Sequence, residues 1–208
     1  MEFFDRLEAV RERWNVLEHS FYQRWSAGEL TRDELACYAG EYRHAVVALA
    51  DSLAEAARDA EPELRPELRE HAFEEADHVS LWDAFAAELD ARTDGAPRAE
   101  TAECVESWTA GRDTLERLVA AFAIESGQPA LSRTKLDGLV RHYGVAEGPA
   151  TAYFELHAVL DLEHAARTRE LIEQRLPGAD EERLLAVAEG ALRGNWTLLD
   201  GVERVPAR

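Results

Sequence analysis

The stretch Tyr153-Phe-Glu-Leu-His157-Ala-Val-Leu-Asp161-Leu-Glu-His164 sets His157, Asp161 and His164 four and three residues apart. At about 3.6 residues per turn, all three fall on one face of a helix. Apolar Val159 and Leu160 stand between them, and Tyr153 and Phe154 lie one turn before, so that face is expected to turn at least partly indoors. A helix that carries imidazoles and a carboxylate toward an interior reads as part of a helical bundle, where sites are built from side chains on facing helices.

Working outward, this helix is expected from about Pro149 to Leu176, closed by Pro177-Gly178, with a last helix from Asp180. Upstream, apolar residues recur at steps of three and four from about Phe3 to Ser26, with Leu7, Val10, Trp14, Leu17 and Phe21 as the buried stripe. Thr31-Arg32-Asp33-Glu34 has the form of a capping box and opens a helix toward Ala60. Pro62 and Pro66 separate it from a third, about Glu67 to Leu89; a long fourth follows Thr93-Asp94-Gly95 and ends near Glu125, before Gly127 and Pro129. A short fifth covers about Ser132 to Tyr143. No stretch alternates as a strand would. The expectation is an all-α, seven-helix bundle forming one domain over residues 1–208.

The composition narrows function. With 23 basic and 42 acidic side chains among 208 residues, the formal charge is −19. Such a chain repels phosphate backbones and anionic lipid surfaces, so neither nucleic acid nor membrane is an expected partner. The start, Met1-Glu2-Phe3-Phe4-Asp5, lacks a basic leader, and no apolar run approaches the roughly 18 residues that a membrane span needs, so a cytoplasmic location is expected. Cys37 and Cys104 form no CxxC pair. Any metal must therefore be held by nitrogen and oxygen.

Donors of that kind occur on two further helices. Glu74-Glu75-Ala-Asp-His78 contains a Glu-x-x-His pair, Glu75 with His78, of the type that di-iron bundles use; Glu74 is the competing choice of carboxylate. Glu125 directly follows the unbroken apolar run Leu118-Val-Ala-Ala-Phe-Ala-Ile124. It either emerges into solvent at the helix end or stays buried and needs a cation. Glu75, His78, Glu125, His157, Asp161 and His164 make three carboxylates and three imidazoles, which suits two first-row ions better than calcium or structural zinc. His19, His44, His71 and His142 are left as surface or hydrogen-bonded core residues.

The order Glu-x-x-His, lone Glu, then His-x-x-x-Asp-x-x-His resembles the heme-oxygenase-like di-metal oxidases, a seven-helix family. The segments Leu17-Glu-His-Ser-Phe-Tyr-Gln-Arg-Trp-Ser-Ala-Gly-Glu-Leu-Thr31, His78-Val-Ser-Leu-Trp82 and Glu125-Ser-Gly-Gln-Pro-Ala-Leu-Ser-Arg-Thr-Lys-Leu-Asp-Gly-Leu139 are similar to the group typified by the chlamydial protein associating with death domains. That resemblance implies para-aminobenzoate formation for folate synthesis by an oxygenase that cuts out its own tyrosine side chain. Carried over by motif, Tyr22 is the sacrificed tyrosine, Tyr153 a second tyrosine near the metals, and Lys135 the amino donor. The cofactor implied is two iron ions, or one manganese and one iron, with O2 and an external reductant from a separate electron donor. A homodimer is expected. Ile124 departs from the group, whose better-known members carry tyrosine there. The alternative keeps the metals but oxidises an external amino acid, amine or fatty acid.

Lys135 also stands out on its own terms. It is the one lysine among 23 basic side chains, the rest being arginine. Arginine serves for solvation and ion pairing, but only lysine can lose its proton and act as a nitrogen nucleophile.

Overall fold

The computed structural model describes residues 2–204; Met1 and residues 205–208, included in the domain expected over 1–208, lie outside the described residues. All regular structure among the described residues is helical. The helices are α1 (Phe3–Arg13), α2 (Ser20–Ala27), α3 (Arg32–Asp59), α4 (Arg65–Glu88), α5 (Ala99–Thr109), α6 (Thr114–Glu125), α7 (Gln128–His142), α8 (Ala152–His157), α9 (Leu160–Glu173) and α10 (Glu181–Glu203), with a 3-10 turn at Val16–Glu18.

Seven expected helices become ten because three of them break, each for a local reason. The first breaks at Trp14–His19, where Asn15 accepts from the Leu17 N–H and His19 Nδ1 accepts from the Phe21 N–H at 3.0 Å. Side chains that satisfy the backbone locally compete with continued helix. The expected fourth divides into α5 and α6 at Gly111-Arg112-Asp113, where Asp113 caps α6 by accepting from the Glu116 N–H. The expected sixth divides at Ala158 and Val159, so His157 ends α8 while Asp161 and His164 lie in the first turns of α9. The fifth begins earlier than expected: Pro129 sits in the first turn of α7, where its missing N–H costs nothing. The capping box of Thr31 and Glu34 forms as read from the sequence.

Helix α3 packs on α4 and α5, α10 on α5, and α6 on α9. Every residue of α6 from Glu116 to Glu125 is buried, and its apolar side chains serve both hydrophobic clusters. One cluster is aromatic, built on Tyr22, Trp25, Tyr38, Tyr42, Trp82 and Phe154; the other is aliphatic, built on Leu7, Leu68, Leu118, Ile172 and Leu184. Close approach of α2 to α7 depends on Gly138, where a Cβ would lie 2.5 Å from the Trp25 indole. No helix among the described residues is long and apolar enough to cross a membrane.

Candidate metal centre

Helix α4 presents His71, Glu75 and His78 on one face, since they stand four and three residues apart. Glu125 arrives at the buried end of α6, and the α8–α9 corner brings His157, Asp161 and His164. Glu75, Glu125, Asp161 and His157 are each at most 2% exposed. Of the two outcomes open to Glu125, burial is the one the fold produces.

Six of these side chains converge as two groups of candidate donors, His71, Glu75, Glu125 and His164, then Glu75, His78 and His157, while Asp161, expected as a ligand, belongs to neither group. Glu75 belongs to both. Its Oε1 accepts from His78 Nδ1 at 3.1 Å and lies 3.6 Å from His164 Nδ1, while its Oε2 lies 3.9 Å from His157 Nε2. His71 Nε2 stands 3.0 Å from Glu125 Oε1 without hydrogen-bond alignment, and the His71 and His164 rings are 4.1 Å apart. Asp161 Oδ1 lies 3.9 Å from His164 Nδ1.

The outer ring nitrogens are already committed. His157 Nδ1 donates to the Tyr153 carbonyl at 2.7 Å, and His164 Nε2 donates to Glu74 Oε2 at 3.0 Å. Glu74 therefore stands on the outer side of His164 while Glu75 faces inward. Bonds of this kind fix which imidazole nitrogen is free to ligate a metal. The inward atoms, His157 Nε2, His164 Nδ1, His71 Nε2 and both oxygens of Glu125 and Asp161, are buried without a hydrogen-bond partner. So many orphaned donors in one place is rare in a folded interior.

Charge at the site follows the same geometry. Burial first, then repulsion from Glu125 and Glu75, pushes the Asp161 carboxyl up to about 9, with Lys135 pulling it back. Burial also acts to raise Glu75, but His157 and His78 outweigh it and hold that carboxyl well below the usual carboxylate range. For His71, burial is opposed by Glu125, Glu75 and Glu74, which together raise its affinity for protons. Three carboxylates and four imidazoles directed at a common region need positive charge, and divalent first-row ions with N/O preference fit that set. A cavity of about 590 Å³ lined by His71, Glu74 and His164 leads to the cluster from solvent.

His71 is the residue that the sequence reading left among hydrogen-bonded or surface histidines, and the structure places it inside the donor set. A signal existed. His71-x-x-x-Glu75-x-x-His78 has the same spacing as His157-x-x-x-Asp161-x-x-His164.

Lys135, Tyr22 and Tyr153 occupy the aromatic cluster beside this centre. Lys135 Nζ has no hydrogen-bond partner and lies 4.6 Å from the Tyr42 ring centroid and 5.6–5.7 Å from those of Phe154, Tyr22, Tyr38 and Trp82. Burial lowers its pKa to about 7, with Asp161 acting in the opposite direction. The Tyr22 and Tyr38 hydroxyls share a hydrogen bond at 2.7 Å, and burial raises both phenols well above their usual range. Tyr153 stacks on His157 with ring centroids 3.9 Å apart.

Known proteins share this arrangement of helices and, more distantly, the sequence. The chain is 28% identical to the 4-aminobenzoate synthase of Chlamydia muridarum over 96% of this chain and 89% of that one. It is 26% identical to the protein of the same name from Nitrosomonas europaea, over 96% and 90%. Among solved structures, a TenA homologue from P. horikoshii superposes with a TM-score of 0.80 at 19% identity, covering 98% of this chain and 99% of that one. A domain of unknown function with a heme-oxygenase-like fold from Shewanella denitrificans does so at 0.81 and 18%, covering 98% and 93%. A family model described as iron-containing redox enzyme matches residues 37–197, across α3 to α10 and every candidate donor. With that match, the chain belongs to the heme-oxygenase-like family of iron-containing redox enzymes.

Proposed function

We propose that this chain forms 4-aminobenzoate in an O2-dependent reaction that consumes its own Tyr22 side chain, with Lys135 as amino donor. The ions are two irons, or one manganese and one iron, held by Glu75, His78, Glu125, His157, Asp161 and His164 together with His71. When bound, they supply the O2 chemistry and one-electron oxidations that protein side chains cannot perform. Electrons come from an external reductant.

The observation that carries this reading is Lys135. An amine buried without a partner is costly, and a lysine kept only for structure would find an acceptor or reach solvent. With its pKa at about 7, a large share is neutral at physiological pH and offers a lone pair. Its Nζ lies 5.7 Å from the Tyr22 ring centroid, and Tyr38 holds the Tyr22 hydroxyl in place. The surrounding rings exclude water, which keeps a reactive tyrosine from being quenched by solvent. Tyr153 connects the two regions, since its ring stacks on His157 and packs against Trp82 with centroids 4.9 Å apart. Relatives over most of the chain carry the name 4-aminobenzoate synthase, which agrees with this chemistry.

Intact-mass measurement before and after exposure to iron, reductant and O2 tests the reading. The expected result is loss of the side chain at Tyr22 and, because the product's nitrogen comes from Lys135, a second change of mass at Lys135 from loss of its ε-amine, together with released 4-aminobenzoate. Tyr22→Phe should keep the bound metal and release none. Product release at unchanged protein mass would exclude self-consumption and favour an external substrate, and in that case Lys135→Arg should leave activity intact.

A further inference from the structure

A second cavity, of about 140 Å³, lies between α1 and the turn after it, α6, α7 and α10, and shares no lining residue with the cavity over His71 and His164. Ile124 and Leu131 contribute apolar wall, and part-exposed Arg11 and Trp14 stand on the side nearer solvent. Gln128 and Asn195, 5% and 8% exposed, also line it. Gln128 Nε2 donates to the Tyr42 hydroxyl at 3.1 Å. Gln128 thus spends its nitrogen on Tyr42. The carbonyl oxygens of both amides, Gln128 Oε1 and Asn195 Oδ1, are buried with no donor.

Two unpaired buried acceptors on residues lining one largely apolar space call for a ligand that brings two N–H groups and little charge. We propose that this cavity binds a small aromatic amine carrying an acid group. The amine donates its two N–H bonds to Gln128 and Asn195, the ring lies between the apolar walls, and the carboxylate meets Arg11. An arylamine suits the inner end because it is neutral near pH 7, whereas an alkylammonium would bring a charge to desolvate. The volume matches a single ring, since a cavity of roughly 150 Å³ is known to take benzene. Arg11 uses Nε and Nη2 on Glu8, which leaves Nη1 for an acid. Tyr42 joins this cavity to the lysine chamber: its hydroxyl accepts from Gln128 while its ring lies 4.6 Å from Lys135 Nζ.

The chemical class rests on the cavity alone, and its assignment as the holding site for the product rests on the proposed formation of 4-aminobenzoate. Calorimetric titration of the full chain, without O2, with 4-aminobenzoate, benzoate and aniline separates the two. One-site binding of 4-aminobenzoate is expected, about tenfold tighter than benzoate, which lacks the amine, and about tenfold tighter than aniline, which lacks the acid. Arg11→Gln should erase the preference over aniline. Ala130→Trp, at an exposed position on the rim, should abolish binding while leaving bound metal unchanged. Absence of saturable binding, benzoate binding as tightly as 4-aminobenzoate, or normal binding in Ala130→Trp would each overturn the assignment. Product formation without binding would sink the cavity and spare the activity; binding without product formation would do the reverse.

Discussion

Two neighbouring regions of this molecule bury ionisable groups under opposite rules. In the candidate metal centre, carboxylates and imidazoles from α4, α6, α8 and α9 stand within reach of one another, and Glu75 links both groups of donors. In the lysine chamber, one amine is enclosed by aromatic rings and has no acceptor. The first arrangement can be neutralised by ions, so its strain is relieved on loading. The second has no hydrogen-bond acceptor, and its compensation is the pull of Asp161 together with the weak attraction of ring faces for a cation.

The comparison breaks first at Glu75. On the proposed two-ion loading, the carboxylate common to both donor groups governs both ions, so Glu75→Ala should reduce bound metal from about two per chain to near zero and remove the proposed activity. Metal analysis by mass spectrometry checks this, and retention of one full equivalent would show that the groups are independent.

Lys135→Met sharpens the contrast from the other side. It should abolish product yet stabilise the fold by on the order of 3–5 kcal/mol at pH 7, because the wild-type residue carries a proton affinity lowered from 10.5 to about 7. The sign follows from linkage. Between pH 7 and 10.5 the unfolded chain binds the Lys135 proton and the folded chain has lost it, so this residue's penalty, full below pH 7, fades as pH rises to 10.5. Denaturant titrations of both proteins across that range should show the difference shrinking. A constant difference would mean that packing, not charge, governs the chamber.

A smaller effect is expected at Gly138. Its replacement by alanine drives a methyl group to 2.5 Å from the Trp25 indole, whose Nε1 donates to the Lys135 carbonyl at 3.1 Å. Gly138→Ala should cost about 1–3 kcal/mol and lower product yield with bound metal unchanged. Loss of metal instead would show that the two regions are mechanically one.

Several features were legible before any coordinates. Spacing alone put Glu75 with His78, and His157 with Asp161 and His164, on common faces, because helical period is a property of the backbone. The solitary lysine among arginines marked Lys135, since composition bias makes an exception visible. His71 was not distinguished although it sits one turn before Glu75, because the Glu-x-x-His pair is complete without it and a histidine four residues upstream of a carboxylate is also compatible with a solvated helix face.

The all-helical architecture, the capped ends and the candidate donors were thus determined by the chain itself, through short-range periodicity and turn chemistry. Tertiary structure alone decided that the corner at Ala158 and Val159 splits His157 from His164 between two donor groups, that Glu125 stays buried, and that Glu75 faces inward while Glu74 supports His164. Those outcomes depend on which helices pack together, and the cost of burying a charge is set by neighbours distant in sequence.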